Sequence, residues 1–154
     1  MTTVLGSCVA ACLWDPAAGV GGMNHFLLPE PSPGHAGEAL RYGVHAMELL
    51  VNALFRAGAI RSRLQARLFG GAQLTEGAHD VGRRNAAFAV DFLHRERIPY
   101  LGGSLGGTQA RRLEFWPVSG RARQRLLVEN VSIFDLERRT GFQAPPSAGA
   151  VQLF

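Results

Sequence analysis

Apolar and polar positions change period several times along the chain, and each change marks an element. Residues 3–13, TVLGSCVAACL, are small and apolar and read as a buried strand bent at Gly6. Asp15-Pro16 through Gly19 is a turn, and Val20 to Leu28 a second strand, so the two predict a hairpin. Residues 29–37 hold three prolines and two glycines and read as a loop. From Glu38 to Arg56 the period becomes helical, with Leu40, Val44, Met47, Val51 and Leu54 on one face and Gly58 as the stop. Arg63–Phe69 alternates, Leu64, Ala66 and Leu68 against Arg63, Gln65 and Arg67, as a half-buried strand does. Asp80 is placed to cap a second helix that runs to Arg95 and carries Val81, Phe88, Phe92 and Leu93. Ile98–Leu101 predicts a short strand, followed by a turn region at Gly102, Gly103, Gly106 and Gly107. Arg111–Pro117 and Arg121–Val128 predict two strands joined around Ser119-Gly120. Beyond Val128 the pattern fades, and residues 140–150 read as a loose tail. No internal repeat is present. Strands outnumber helices and come partly as hairpins, which predicts an α+β or mixed-sheet fold rather than a regular βαβ array.

Composition narrows the class. The 154 residues suit one domain, and 47% apolar with 18% charged residues excludes a disordered or collagen-like chain. The net charge is +4 and every basic residue is arginine. The arginines are spread from Arg41 to Arg139, with Arg83-Arg84 and Arg111-Arg112 the close pairs before the tail, and a solvated face is the reading for both. No aromatic platform accompanies them, so nucleic acid is a distant reading. No apolar run is long enough to span a bilayer, and no basic-then-apolar leader opens the chain. A reducing cytoplasm is the expected compartment. Cys8 and Cys12, both on one strand, would stand about 13 Å apart at roughly 3.3 Å per residue, too far for a disulfide.

Two residues carry candidate chemistry. Cys8 follows Gly6-Ser7 at the expected kink, and His25 ends the partner strand. A hairpin centred between residues 16 and 17 sets them opposite one another. A thiol beside an imidazole is the minimum for nucleophilic catalysis, because the thiolate is the reactive form and histidine can protonate a leaving group. The same residues also suit a buried, inert cysteine and a merely hydrogen-bonded histidine. Ser7 lacks a nucleophile-elbow motif, and Cys8, Cys12 and His25 have no zinc spacing. The glycines at 102–107 open no phosphate-binding loop. His35, His45, His79 and His94 read as surface or packing residues, and Trp14 and Trp116 as core or edge packing.

The segment TTVLGSCVAACLWDPAAGVGGMNHFLLP resembles the opening of the CheD chemoreceptor glutamine deamidases. So do RYGVHAMELLVNAL, LQARLFGGAQ and VGRRNAAFAVDFLHRERIPYLGGSLGGTQARRLEFWPVSGR, in family order, over roughly residues 2 to 128. The resemblance implies a layered α/β (α+β) fold with a β-sandwich core and outer helices, similar to toxin-type cysteine deamidases. Residues 1–128 would form the deamidase domain, without the family's usual first strand, and 129–154 a C-terminal extension.

It also implies a reaction: hydrolysis of selected glutamine amides on methyl-accepting chemoreceptors to glutamate, with release of ammonia, in chemotaxis adaptation. The implied enzyme is a protein-glutamine glutaminase, with Cys8 as nucleophile, His25 as acid and base, and a threonine to orient the ring. That threonine falls six residues before the cysteine, at Thr2, with the adjacent Thr3 as the alternative. No metal or organic cofactor is implied. The implied partners are a chemoreceptor cytoplasmic domain as substrate and a CheC-type phosphatase, with no nucleic acid and no membrane insertion. The competing readings are a non-catalytic interaction module and a cysteine hydrolase acting on another protein.

Overall fold

The computed structural model describes residues 1–30, 36–74, 80–127 and 150–153. The strands are β1 (Thr2–Leu5), β2 (Val9–Asp15), β3 (Val20–Phe26), β4 (Gln65–Gly70), β5 (Tyr100–Leu105), β6 (Arg111–Trp116), β7 (Arg121–Leu126) and β8 (Ala150–Leu153). Two helices, α1 (Ala36–Arg56) and α2 (Val81–Arg95), and a short 3₁₀ turn at Arg61–Arg63 complete the described elements. One sheet has the order β5-β4-β2-β3-β8 and the other β1-β6-β7. Among the described strands only the β4–β5 pair is parallel. The helices cover one face of the larger sheet and the smaller sheet covers the other, giving the expected α+β sandwich with outer helices.

β2 explains the layering. All seven of its residues are buried, because it sits at the centre of the larger sheet with both faces covered. Val9, Ala11 and Leu13 pack with Met47, Leu50 and Leu54 of α1 and Phe88 and Phe92 of α2. Ala10, Cys12 and Trp14 point the other way, into a layer shared with Leu5, Met23, Phe69, Leu113 and Phe115. The absence of polar alternation in VAACLW is therefore the signature of a strand buried twice.

Several expectations need correction. Residues 3–13 are not one bent strand: β1 and β2 belong to different sheets, and the chain crosses between them at Gly6–Cys8. Leu40, expected on the buried face of the first helix, is half exposed. Asp80 precedes α2 but makes no side-chain capping bond; its carboxylate pairs with Arg83 instead. Gly102 and Gly103 lie inside β5, not in a turn. The β4–β5 register shifts between Ala66 and Leu68, and a Cβ on Gly103, at φ +148°, would come within 1.9 Å of the Leu68 carbonyl oxygen. Glycine there permits a bulge against a neighbouring backbone, which in a bare sequence looks like turn punctuation. The expected loose tail lies outside the described residues except for Ala150, which opens β8 and pairs with His25 of β3.

A single carboxylate ties the turn of the β2–β3 hairpin to the segment after α1. Asp15 Oδ1 accepts from the Ala17 and Ala18 amides at 2.9 and 3.1 Å. Its Oδ2 accepts from the Ile60 amide at 2.9 Å and from Arg63 Nε at 3.0 Å. Burial alone would raise its pKa, but these donors prevail and hold it down to about 2, against an ordinary 3.8. The unfolded chain therefore binds the proton first. The stabilisation is complete above the unfolded value and is lost as pH falls from about 3.8 towards 2. In Asp15→Asn, the fall of the thermal midpoint across that acid window is expected to be shallower than in the wild type, and the midpoint at neutral pH lower. Parallel curves for the two proteins would contradict the assignment.

Candidate active site

Strand alternation gathers three polar side chains at one end of the layer between the sheets. In the hairpin Val9 pairs with Phe26 and Ala10 with His25, so its centre lies between residues 17 and 18. His25 thus stands opposite Ala10, not Cys8. Cys8, two positions before Ala10, points into the same layer and packs with Ala10, Cys12 and Met23. The offset from the expected pairing is two residues, so thiol and imidazole still share a face.

The threonine that meets the ring is Thr3. Its Oγ1 lies 3.2 Å from His25 Nδ1. Thr3 pairs with Leu113 and shares the inner face of β1 with Leu5, which itself packs in the inter-sheet layer. Thr2, one residue earlier, is exposed and points to the opposite face. Of the two threonines expected at this position, Thr3, the alternative, is the one that meets the ring.

The crossing that presents Cys8 is held by three successive carbonyls. Gly6 O accepts from the Ala72 amide at 2.8 Å, Ser7 O from Asn85 Nδ2 at 2.8 Å and Cys8 O from the Gly71 amide at 2.7 Å. The peptide bonds of this crossing are trans, so the amide hydrogens of Ser7, Cys8 and Val9 point the opposite way from these tethered carbonyls. Gly70, at φ +108°, makes room for the arrangement: a Cβ there would lie 2.1 Å from Cys8 O.

Burial treats the titrating groups of this layer differently. It pushes the Cys12 thiol well above the ordinary range, with the Met1 ammonium and Arg67 opposing only in part. Cys12 is therefore a packing residue, consistent with its complete burial. Burial lowers His25 to about 4, so its imidazole is neutral at neutral pH and available to accept a proton.

Two residues escaped the sequence reading. Asn85 on α2 is fully buried and bridges the site: its Oδ1 accepts from the Leu28 amide at 2.9 Å while its Nδ2 donates to Ser7 O. A lone asparagine on the buried face of a helix was the available signal. Arg111 is the second. Of the Arg111-Arg112 pair only Arg112 is exposed, because alternation turns Arg111 inward, where it is 2% exposed. His45 and His94 are exposed on their helices, while His35 and His79 lie outside the described residues. Among the described residues no group of three or more His, Cys, Asp or Glu side chains could hold a metal. No described helix is long and apolar enough to cross a membrane.

A thiol, a neutral imidazole and a threonine hydroxyl bonded to it form a group able to perform nucleophilic acyl chemistry. Comparison with known proteins specifies the family. The family model described as CheD chemotactic sensory transduction matches residues 27–126. A protein of Acidiphilium cryptum named probable chemoreceptor glutamine deamidase CheD is 57% identical over 160 residues, spanning all of this chain and 84% of that protein. Proteins of the same name from Caulobacter vibrioides and Rhizobium johnstonii are 56% and 54% identical, again over the whole chain and over 83% and 86% of their own lengths. The chain belongs to the CheD family. The family-model match begins after Cys8 and His25, but the relatives' alignments include both.

Asn85→Ala would leave Ser7 O and the Leu28 amide without their partner. A loss of about 1–3 kcal/mol is expected in chemical denaturation. An unchanged midpoint would mean that the bridge contributes nothing to holding the crossing.

Proposed function

We propose that this protein hydrolyses the side-chain amide of glutamines on methyl-accepting chemoreceptors, yielding glutamate and ammonia, with Cys8 as nucleophile. The observation that carries the catalytic assignment is the Thr3–His25 hydrogen bond at 3.2 Å, in the same layer as the Cys8 side chain. Family membership and the relatives' names supply the substrate class.

In this reading Thr3 accepts a hydrogen bond from Nδ1–H and fixes the ring, leaving Nε2 as the basic nitrogen. Cys8 gives its proton to His25 and its thiolate attacks the glutamine carboxamide carbon. The resulting oxyanion is met by amide hydrogens at the crossing, which face away from the three tethered carbonyls. The C–N bond breaks as the imidazolium protonates the leaving nitrogen, which departs as ammonia. A glutamyl thioester remains. Water attacks it while His25 takes a proton, and collapse releases glutamate and the Cys8 thiolate. None of these steps calls on a cofactor. The reaction would take place in the cytoplasm, at the receptor's cytoplasmic domain. We extend the reading to a CheC-type phosphatase as a binding partner on family membership alone.

Incubation of a receptor cytoplasmic fragment with the protein should add about one mass unit at particular glutamines, and Cys8→Ala should abolish the change. Deamidation that survives in Cys8→Ala would sink the assignment. The two threonines separate in the same assay. Thr3→Val is expected to lower kcat about tenfold or more, the equivalent of one orienting hydrogen bond, whereas Thr2→Val should stay within about twofold of wild type. The reverse order would restore Thr2 to the role.

A further inference from the structure

Arg111 heads the fully buried side chains in size, and the mechanism above makes no use of it. It opens β6 opposite Leu5, three residues before Cys8, and alternates with Leu113 and Phe115, so it enters the layer between the sheets. Its Nη1 donates to Ser104 O and Oγ at 2.7 and 2.8 Å, and its Nη2 to Gly106 O and to Gln109 O, the latter at 3.4 Å. Every one of these acceptors is neutral. Nε is buried without any partner, and among the described residues no carboxylate pairs with the guanidinium. A cation buried this way is expensive unless an anion compensates it.

We propose that Arg111 is a positioning residue for the deamidation, a buried guanidinium that stabilises the Cys8 thiolate formed when the thiol gives its proton to His25. The charges around that thiol are few, and the Met1 ammonium, which donates to Phe115 O, sits at the other end of β1 from Leu5 and Arg111. From β3 comes His25, which burial keeps neutral at neutral pH. From β6 comes Arg111, on which the Cys8 charge acts directly: burial lowers the guanidinium's pKa and Cys8 opposes that fall. Arg67 and Cys12 face each other across the β2–β4 ladder, four residues further along β2. The buried carboxylate of β2, Asp15, lies at its far end with Arg63. Phe69, Leu5 and Met23 complete the layer with apolar surface. The arginine is thus the permanent positive charge positioned to favour the thiolate, and the loop of Ser104, Gly106 and Gln109 holds its fork in place.

The inference rests on Cys8 being the nucleophile, and one experiment separates the two. The pH dependence of iodoacetamide alkylation is followed at the Cys8 peptide by mass spectrometry, so that Cys12 does not contribute. The wild-type midpoint should lie below the ordinary cysteine value of about 8.5. Arg111→Met should raise it by about one unit or more, a tenfold loss of thiolate at fixed pH below the midpoint, and Arg111→Lys should recover part of the shift. His25→Gln should keep a midpoint below the ordinary value, because the guanidinium remains. A folded Arg111→Met with an unmoved midpoint overturns the proposal. So does a His25→Gln midpoint at or above about 8.5, which decides the matter even where Arg111→Met does not fold. Deamidation surviving in Cys8→Ala would instead refute the nucleophile itself, whatever the alkylation profile.

Discussion

The passage from one sheet to the other in three residues is the constraint on which the rest of the structure depends. A chain leaving β1 must turn at Gly6–Cys8 to become the central strand of the other sheet, and turning exposes backbone groups that strand pairing would otherwise satisfy. The structure satisfies three of them from two sources. Gly71 and Ala72 reach Cys8 and Gly6 from the end of β4, and Asn85 reaches Ser7 from α2. The same bonds that permit the sandwich orient the peptides around Cys8. α2 approaches closely enough because Gly82 faces Gly71 and Ala72, where a Cβ would lie 2.4 Å from the Ala72 carbonyl oxygen. Fold and site therefore share one set of contacts, and a change that loosens the crossing acts on both.

A common burial produces different electrostatic outcomes because the partners differ. Asp15 receives four donors and stays ionised deep into acid. Cys12 has apolar neighbours and is held as the thiol. His25 meets the Thr3 hydroxyl at Nδ1, and burial holds it as the neutral base. Two thiols four residues apart on the same face can thus differ in reactivity with no difference in residue type. Cys12 is locked inside the layer, while Cys8 lies at its end, on the face that the imidazole of His25 and the side chain of Arg111 also enter.

What was legible in the sequence follows from which signals are local. The β2–β3 hairpin, both helices and the β6–β7 pair are written in periodicity and turn residues, and all are present. The crossing at Gly6–Cys8 was not legible, because a chain buried on both sides of a kink carries no polar punctuation. The β5 bulge was misread because glycine marks close backbone approach and turns alike. β8 joins β3 across more than 120 residues of chain, and four residues supply no period to read. Arg111 and Asn85 show a further limit. Their polarity points to the surface, and only the tertiary arrangement of carbonyls explains their burial.

The two offsets at the site obey one rule with opposite results. A strand has a side-chain period of two, so an error of two positions keeps a residue on its face and an error of one inverts it. The hairpin register differs from the index pairing by two, and Cys8 and His25 stay on one face. The two candidate threonines differ by one, and Thr2 is turned away while Thr3 reaches Nδ1. Resemblance along a sequence locates a position to within a residue or so; in β structure that last residue decides whether a hydroxyl faces the imidazole or solvent. The pairing of Thr3 with Leu113 and of Leu5 with Arg111 makes that choice, and it places Thr3 and Arg111 on one inner face. The orienting hydroxyl and the buried cation are thereby set by the same ladder. A slip of β1 against β6 by one residue would remove the hydroxyl from the ring and place a different β1 residue against the arginine.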